Sequence, residues 1–374
     1  MRDLLLLFFR LGATSFGGPA AHVAMMQEEV VRRRAWLGPE EFLDLLGAAN
    51  LIPGPNSSEL AMHVGWRRAG VAGLVGAGVS FILPAVAITA LFAWAYVRFG
   101  TLPALQAPFA GIRAAVLAVI GIAVWRLGRT AVRSRPLALV GTLVLAAALL
   151  GVSELILLFA GGVAGACWLA GLPGRGRPDT VLGLLPAGVL TLGTQSTGTA
   201  GGLPTLTALG LFFLKIGSVL YGSGYVLIAF LQGGLVERYG WLTRAQLVDA
   251  VAAGQFTPGP VLSTATFVGY LVLGPAGALV ATAAIFLPSF VLVALTAPHV
   301  HRLRQTPWLA AFLDSVNVAA LGLMAAVTIQ LARSALTGPA AWAIALGGLL
   351  VALRWKVNPA WLVLGGALVG WLAG

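Results

Sequence analysis

The sequence contains the same pattern twice, and this repeat limits the folds that the chain can adopt. Leu51-Ile52-Pro53-Gly54-Pro55 recurs 205 residues later as Phe256-Thr257-Pro258-Gly259-Pro260. A spacing of 204 then aligns Gly70 with Gly274. So many glycines and prolines do not recur at a nearly constant spacing by chance. The chain is therefore predicted to be two homologous halves joined by a linker, with boundaries at 1–171, 172–205 and 206–374.

The composition predicts an all-α integral membrane protein. Hydrophobic residues make up 59% of the chain and charged residues 9%, whereas soluble domains carry about 25% charged residues. A transmembrane helix needs about 20 apolar residues, so the chain has room for several. The predicted segments of the first half are 4–15, 20–31, a helix from 40 that is interrupted at 53–55 and continues to 65, and spans at 70–97, 108–128, 136–152 and 155–171. The linker contains one further candidate short span at 180–195.

The net charge of +11 comes from arginines that cluster between apolar segments. This pattern is typical of the cytoplasmic loops of membrane proteins and gives no reason to expect a nucleic-acid partner. Arg67-Arg68 corresponds to an uncharged stretch around Leu271, and other loops of the second half carry the positive charge. The loop charges therefore predict inverted-topology repeats. The alternative is a parallel duplication whose loop charges have drifted.

No metal site or cofactor is predicted. The chain has one cysteine, Cys167, and contains no Cys-x-x-Cys or His-Glu-x-x-His motif. The N-terminal residues lead directly into an apolar segment without a small-residue cleavage site, which favours a retained first helix over a signal peptide.

The first helix break of each half is rich in glycine. Ser15-Phe16-Gly17-Gly18-Pro19 combines residues that permit a positive φ with a proline suited to the first turn of the next helix. A helix N-terminus with unpaired N–H groups at membrane depth is a candidate anion site. The second half repeats the break at Gly222, Ser223 and Gly224. The alternative is that these small residues only permit close helix packing.

The second break of each half contains two prolines, Pro53 and Pro55 in the first half and Pro258 and Pro260 in the second. Proline removes a backbone donor and interrupts a helix. Broken helices at matching positions of two halves indicate a transporter binding site. After the first break, Asn56 and Glu59 have the spacing of a capping box. The hydroxyl and amide side chains that follow the two breaks are expected to bind substrate as donors: Asn56, Ser57 and Ser263.

Several ionisable residues fall within apolar stretches, where such residues are functional candidates. His22 lies one turn after Pro19 and is expected to hold an anion or carry a proton. Glu28 and Glu29 have an alternative role as solvated ion pairs beside the arginines at 32–34. The remaining candidates for proton coupling or charge pairing are Glu59, Lys215 and Arg113.

These residues resemble the chromate ion transporter family over nearly the whole chain. The similarity is carried by the runs Leu11–Pro19 with His22 and Glu29, Trp36–Ser57, Gly65–Gly70, Phe81–Pro84, Phe213–Gly224 and Ala253–Pro260. One departure is Asn50, where the family motif has Gln and the second half has Gln255. The resemblance implies an inner-membrane, multi-pass carrier that exports chromate by using the proton motive force and confers chromate resistance. Sulfate has a structure similar to that of chromate and is the alternative substrate.

Three classes of function fit the pattern to different degrees. A secondary transporter for a divalent oxyanion explains the repeat and the paired breaks, and protons, the lipid bilayer and a second copy of the chain are its candidate partners. An anion channel would need no coupling group, which His22 and Glu59 argue against. An enzyme is not expected, because Ser223 lacks the Gly-x-Ser-x-Gly context of a serine hydrolase.

The expected binding residues are Ser15, Gly17, Gly18, His22, Pro53, Gly54, Pro55, Asn56, Ser57, Gly222, Ser223, Gly224, Pro258, Gly259, Pro260 and Ser263.

Overall fold

The computed structural model describes residues 1–16, 18–170, 203–221, 224–299, 307–355 and 357–373. Within these ranges the regular secondary structure is helical, with no strand. The linker lies outside the described residues except for 203–205, and the candidate short span at 180–195 falls entirely outside them.

The helices of the first half follow the predicted segments closely. They are α1 (Arg2–Thr14), α2 (Pro19–Gln27), α3 (Pro39–Ala49), α4 (Asn56–Phe99), α5 (Pro103–Ala131), α6 (Arg135–Leu149) and α7 (Glu154–Ala170). The second half repeats this order as α8 (Leu206–Val219), α9 (Leu227–Leu231), α10 (Arg244–Phe256), α11 (Thr264–Thr296), α12 (Pro307–Ala335), α13 (Pro339–Arg354) and α14 (Pro359–Ala373). Short π-helices, Glu28–Arg33 and Gln232–Arg238, extend α2 and α9.

Long apolar helices confirm the membrane assignment. Among the described residues, four are long and apolar enough to cross a bilayer: Asn56–Phe99, Pro103–Ala131, Val261–Thr296 and Ala310–Ala335. Many large apolar side chains on these and the shorter helices point outward, as expected of a protein whose surroundings are lipid. The all-α membrane fold is therefore as predicted.

The helix α4 folds back on itself. Ala69 and Gly70 have non-helical backbone angles, and the φ of Gly70 is 58°. A Cβ on Gly65 would collide with the carbonyl oxygen of Gly73, and the reverse also holds, so the two arms, 56–68 and 71–99, pack closely side by side. The helix α11 has the same turn, formed by Leu273 and Gly274. Each proline break thus leads into a helical hairpin.

The two halves interlock through their C-terminal helices. The last helix of each half packs on the fifth helix of the other, α14 on α5 and α7 on α12. Gly161 lies against Ala319, and Gly165 lies against Ser315, so α7 and α12 are antiparallel. The contacts between the two halves are therefore reciprocal.

Candidate functional site

The helix breaks of the two halves contact each other reciprocally. The amide of Gly54, in the proline break of the first half, donates a hydrogen bond of 2.8 Å to the carbonyl oxygen of Leu220. The amide of Gly259, in the second half, donates one of 2.9 Å to the carbonyl oxygen of Ser15. Both pairs are related by the repeat spacing of 205 residues. The φ angles of Gly54 and Gly259 are 141° and 87°, which favour glycine at these positions.

In the first half, His22 connects the glycine-rich break with the residues that follow the proline break. Its side chain is buried, with 1% of the residue exposed. Nε2 lies 3.1 Å from the carbonyl oxygen of Ser15, and Nδ1 lies 3.1 Å from Oγ of Ser57. Because a carbonyl oxygen only accepts, Nε2 carries the hydrogen, and in the neutral ring Nδ1 accepts from the Ser57 hydroxyl. The corresponding residue of the second half is Leu227, so this bridge exists on one side only.

A small cavity opens where these elements meet. Gly18, with a φ of 81°, is the N-cap of α2, and Pro19 occupies the first turn as predicted. The N-terminus of α2 therefore faces the cavity. Among the described residues that line it, none is an aspartate or a glutamate. They are Ser15, Gly18, His22, Gly254, Gln255, Thr257, Gly259, Val261, Asn358 and Pro359.

Gln255 was not among the predicted binding residues. It is 9% exposed, and its Oε1 accepts a hydrogen bond of 3.0 Å from the hydroxyl of Tyr225. Its Nε2 has no hydrogen-bond partner among the described residues, and the same holds for Oγ of Ser15, which is 1% exposed. The alignment of Gln255 with Asn50 was visible in the sequence, but its approach to Ser15 depends on the packing of the two halves.

The predicted capping box at the first proline break is wrong. Pro55, not Asn56, is the N-cap of α4, and the side-chain Nδ2 of Asn56 donates to Oδ1 of Asn50 instead. Glu59 is 0% exposed and accepts a hydrogen bond of 3.0 Å from Oγ of Ser289 in the other half. The second carboxylate oxygen of Glu59 has no partner within the described parts of the chain.

Hydroxyl groups from both halves form a cluster around the proline break of the second half. Ser263 is fully buried, and its Oγ lies 3.2 Å from Oγ1 of Thr89. Thr89 also lies 3.1 Å from Oγ1 of Thr257, beside Pro258 and Pro260. Gly224 is buried against Val261. Three predicted site residues lie outside the described residues: Gly17, Gly222 and Ser223.

Arg113 is paired, as an arginine within a membrane helix must be. Its Nε and Nη2 donate hydrogen bonds of 2.8 and 2.7 Å to the two carboxylate oxygens of Asp249 on α10. The hydroxyl of Tyr96 donates a further bond of 2.8 Å to Asp249. This bidentate pair joins the two halves away from the cavity lining.

Three other charged candidates also lie away from the cavity. Glu28 and Glu29 form ion pairs of 3.0 to 3.4 Å with the partly exposed arginines at 32–34, which is the alternative that the sequence left open. Lys215, on α8, lies within electrostatic reach of Glu154 in the first half.

The fold and site define the class of this protein: an all-helical membrane protein made of two homologous halves whose broken helices meet around a cavity. The family model described as chromate transporter matches the chain twice, over residues 2–166 and 207–371. The chain belongs to this family.

Curated relatives are similar over nearly their full length. The chain is 36% identical to the chromate transport protein of Cupriavidus metallidurans, covering 100% of this chain and 93% of that protein. It is 34% identical to a probable chromate transport protein of Synechococcus elongatus, over 96% of this chain and 91% of the relative. For a chromate transport protein of Pseudomonas aeruginosa the identity is 32%, over 99% and 92%. No solved structure matches the chain significantly.

Proposed function

We propose that this protein is a secondary transporter that exports chromate, or a similar divalent oxyanion, across the inner membrane. The proton motive force drives the export, and the protein confers chromate resistance. The names of the curated relatives support chromate as the substrate. No residue is assigned a catalytic role in this proposal.

The observation that carries the proposal is the cavity between the two sets of helix breaks. Ser15, Gly18 and His22 line it from the first half, and Gly259 lines it from the second. A dianion that leaves water loses a large hydration energy, which only convergent donors replace. Helix termini and neutral side chains supply donors without a fixed full charge. The absence of carboxylates among the described lining residues removes the strongest source of repulsion.

Glu59 and His22 are the proposed proton-carrying groups. Both are buried beside the contact between the two halves, Glu59 against Ser289 and His22 against Ser15. Each changes its charge when it binds or releases a proton. A rearrangement of this contact would therefore alter the surroundings of both groups together with the anion site.

Alternating access is the proposed transport mechanism. The reciprocal contacts between the halves support a repeat inverted about an axis in the membrane plane, as in many secondary transporters. Because the Gly54–Leu220 and Gly259–Ser15 bonds are related by pseudo-symmetry, exchanging the roles of the two halves would open the cavity to opposite sides.

Flux into sealed vesicles that contain the purified protein tests this function. Chromate uptake that rises with an imposed pH gradient and saturates with concentration is the expected result. Rapid uptake that does not depend on the gradient would favour an anion channel. Saturable, gradient-dependent uptake of sulfate with no effect of chromate would favour a sulfate carrier. The absence of oxyanion flux under every gradient would refute the proposal.

A further inference from the structure

The geometry points to a specificity device in the cavity, and this inference rests on the oxyanion site proposed above. We propose that Gln255, oriented by Tyr225, selects fully deprotonated tetrahedral oxyanions, such as chromate and sulfate, over protonated ones, such as hydrogen phosphate. The Ser15 hydroxyl provides the second side-chain donor.

The first observation is a pair of donors without partners. Nε2 of Gln255 and Oγ of Ser15 are buried, line the same cavity and have no hydrogen-bond partner among the described residues. A buried polar group without a partner is costly, and native proteins seldom retain one without a reason. An anion in the cavity would satisfy both groups at once.

The second observation is that the orientation of the amide is fixed. The hydroxyl of Tyr225 donates to Oε1 of Gln255 over 3.0 Å, so the amide oxygen is engaged and Nε2 is the end left without a partner among the described residues. A primary amide presents either two donors or one acceptor to a given side. Tyr225 therefore acts as a positioning residue that determines which end of Gln255 the anion meets.

These contacts distinguish oxyanions by their protons. Each oxygen of chromate or sulfate accepts hydrogen bonds, which matches the donors of Gln255 and Ser15. Hydrogen phosphate carries one hydroxyl that must donate, and its hydrogen bond to water is lost on entry. The Gln255 oxygen that could accept it is engaged by Tyr225, and the described lining residues include no carboxylate, so the phosphate hydroxyl meets only weaker acceptors such as the Ser15 hydroxyl among these side chains. A site that leaves a buried polar group unpaired strongly rejects the corresponding ligand.

The test measures inhibition of chromate flux into vesicles by sulfate, selenate, phosphate and arsenate, at a pH where phosphate and arsenate keep one proton. We expect sulfate and selenate to inhibit the unmodified protein at least about tenfold more strongly than phosphate and arsenate. In Tyr225→Phe the amide turns freely, so this ratio falls towards one and the KM for chromate rises about tenfold. In Gln255→Glu the carboxylate repels every dianion, but only hydrogen phosphate and hydrogen arsenate can donate a hydrogen bond to it, so the ratio reverses.

Tyr239→Phe is the matched control, because it removes a hydroxyl from a ring that stacks on Trp241, and neither residue belongs to the cavity lining. It should leave the ratio unchanged. If phosphate inhibits the unmodified protein as strongly as sulfate, or if Tyr225→Phe keeps the original ratio, the specificity proposal is overturned while oxyanion transport stands. If the unmodified protein transports no oxyanion, the proposed function itself fails. Should Gln255→Glu not reach the membrane, Tyr225→Phe decides alone.

Discussion

The amide of Gly259 donates a hydrogen bond of 2.9 Å to the carbonyl oxygen of Ser15, so the helix break of one half is completed by the other half. Gly54 and Leu220 form the corresponding bond on the opposite side. A single hydrogen bond contributes about 0.5–1.5 kcal/mol net. Two such bonds hold the breaks together in this state, yet they are weak enough to separate when the halves move. This balance suits a site that must open to each side in turn.

Replacing His22 tests the bridge between the breaks. In His22→Ala the hydroxyl of Ser57 loses its buried partner, and the carbonyl oxygen of Ser15 keeps only the bond from Gly259. Leaving the buried Ser57 hydroxyl unsatisfied costs about 1–3 kcal/mol, so chromate flux should fall roughly tenfold. His63→Phe is the control, because both ring nitrogens of His63 are buried without partners among the described residues and the second half has Phe267 there. Equal fluxes of the two variants would contradict the role of His22.

Glu59→Gln tests proton coupling. Glutamine keeps the shape of the side chain and an oxygen that accepts from Ser289, but it cannot exchange a proton. We expect chromate flux down its own gradient to persist and stimulation by a pH gradient to disappear. Glu28→Gln, at a partly exposed ion pair, should keep the stimulation. A Glu59→Gln protein that responds normally to the pH gradient would exclude Glu59 as the coupling group.

The helices were predictable from local sequence, whereas most of the contacts at the site were not. The apolar runs and the Pro-Gly-Pro breaks place α4 and α5 within a few residues of their observed bounds. The capping box failed because Pro55 already begins the turn, so Asn56 is the first helical residue and its side chain contacts Asn50. The pairing of Arg113 with Asp249 joins residues 136 positions apart, and no local pattern encodes it.

The predicted inversion of the halves is tested by labelling at the two hairpin turns. The single cysteine, Cys167, is exposed and is first replaced by alanine. Ala69→Cys and Leu273→Cys then place one thiol at each equivalent turn. A membrane-impermeant thiol reagent should label one of them from outside intact cells and the other only after the membrane is opened. Labelling of both from the same side would show that the repeat is parallel.

Breaking the Arg113–Asp249 pair should be strongly destabilising. Removing one partner leaves the other charge buried, which costs about 3–5 kcal/mol. Arg113→Leu or Asp249→Leu should therefore lower the thermal unfolding midpoint in detergent. The double replacement should recover much of the loss, because no charge remains unpaired. If the two single effects simply add in the double variant, the pair is not energetically coupled.

Substitutions at two glycines that each precede a proline distinguish an effect on the anion site from the general effect of replacing a glycine at a helix N-cap. Gly18 and Gly38 are the N-caps of α2 and α3, and an added Cβ would meet no atom within 4 Å at either position. Gly18 differs because its φ is 81° and it lines the cavity, whereas the φ of Gly38 is −69°. Gly18→Val should strain the backbone by about 1–3 kcal/mol and place its side chain in the space needed by the anion. Gly38→Val should be tolerated.

Chromate flux, measured at matched protein levels in the membrane, should therefore be abolished, or its KM raised steeply, only in Gly18→Val. Normal flux through Gly18→Val would place the anion away from the N-terminus of α2.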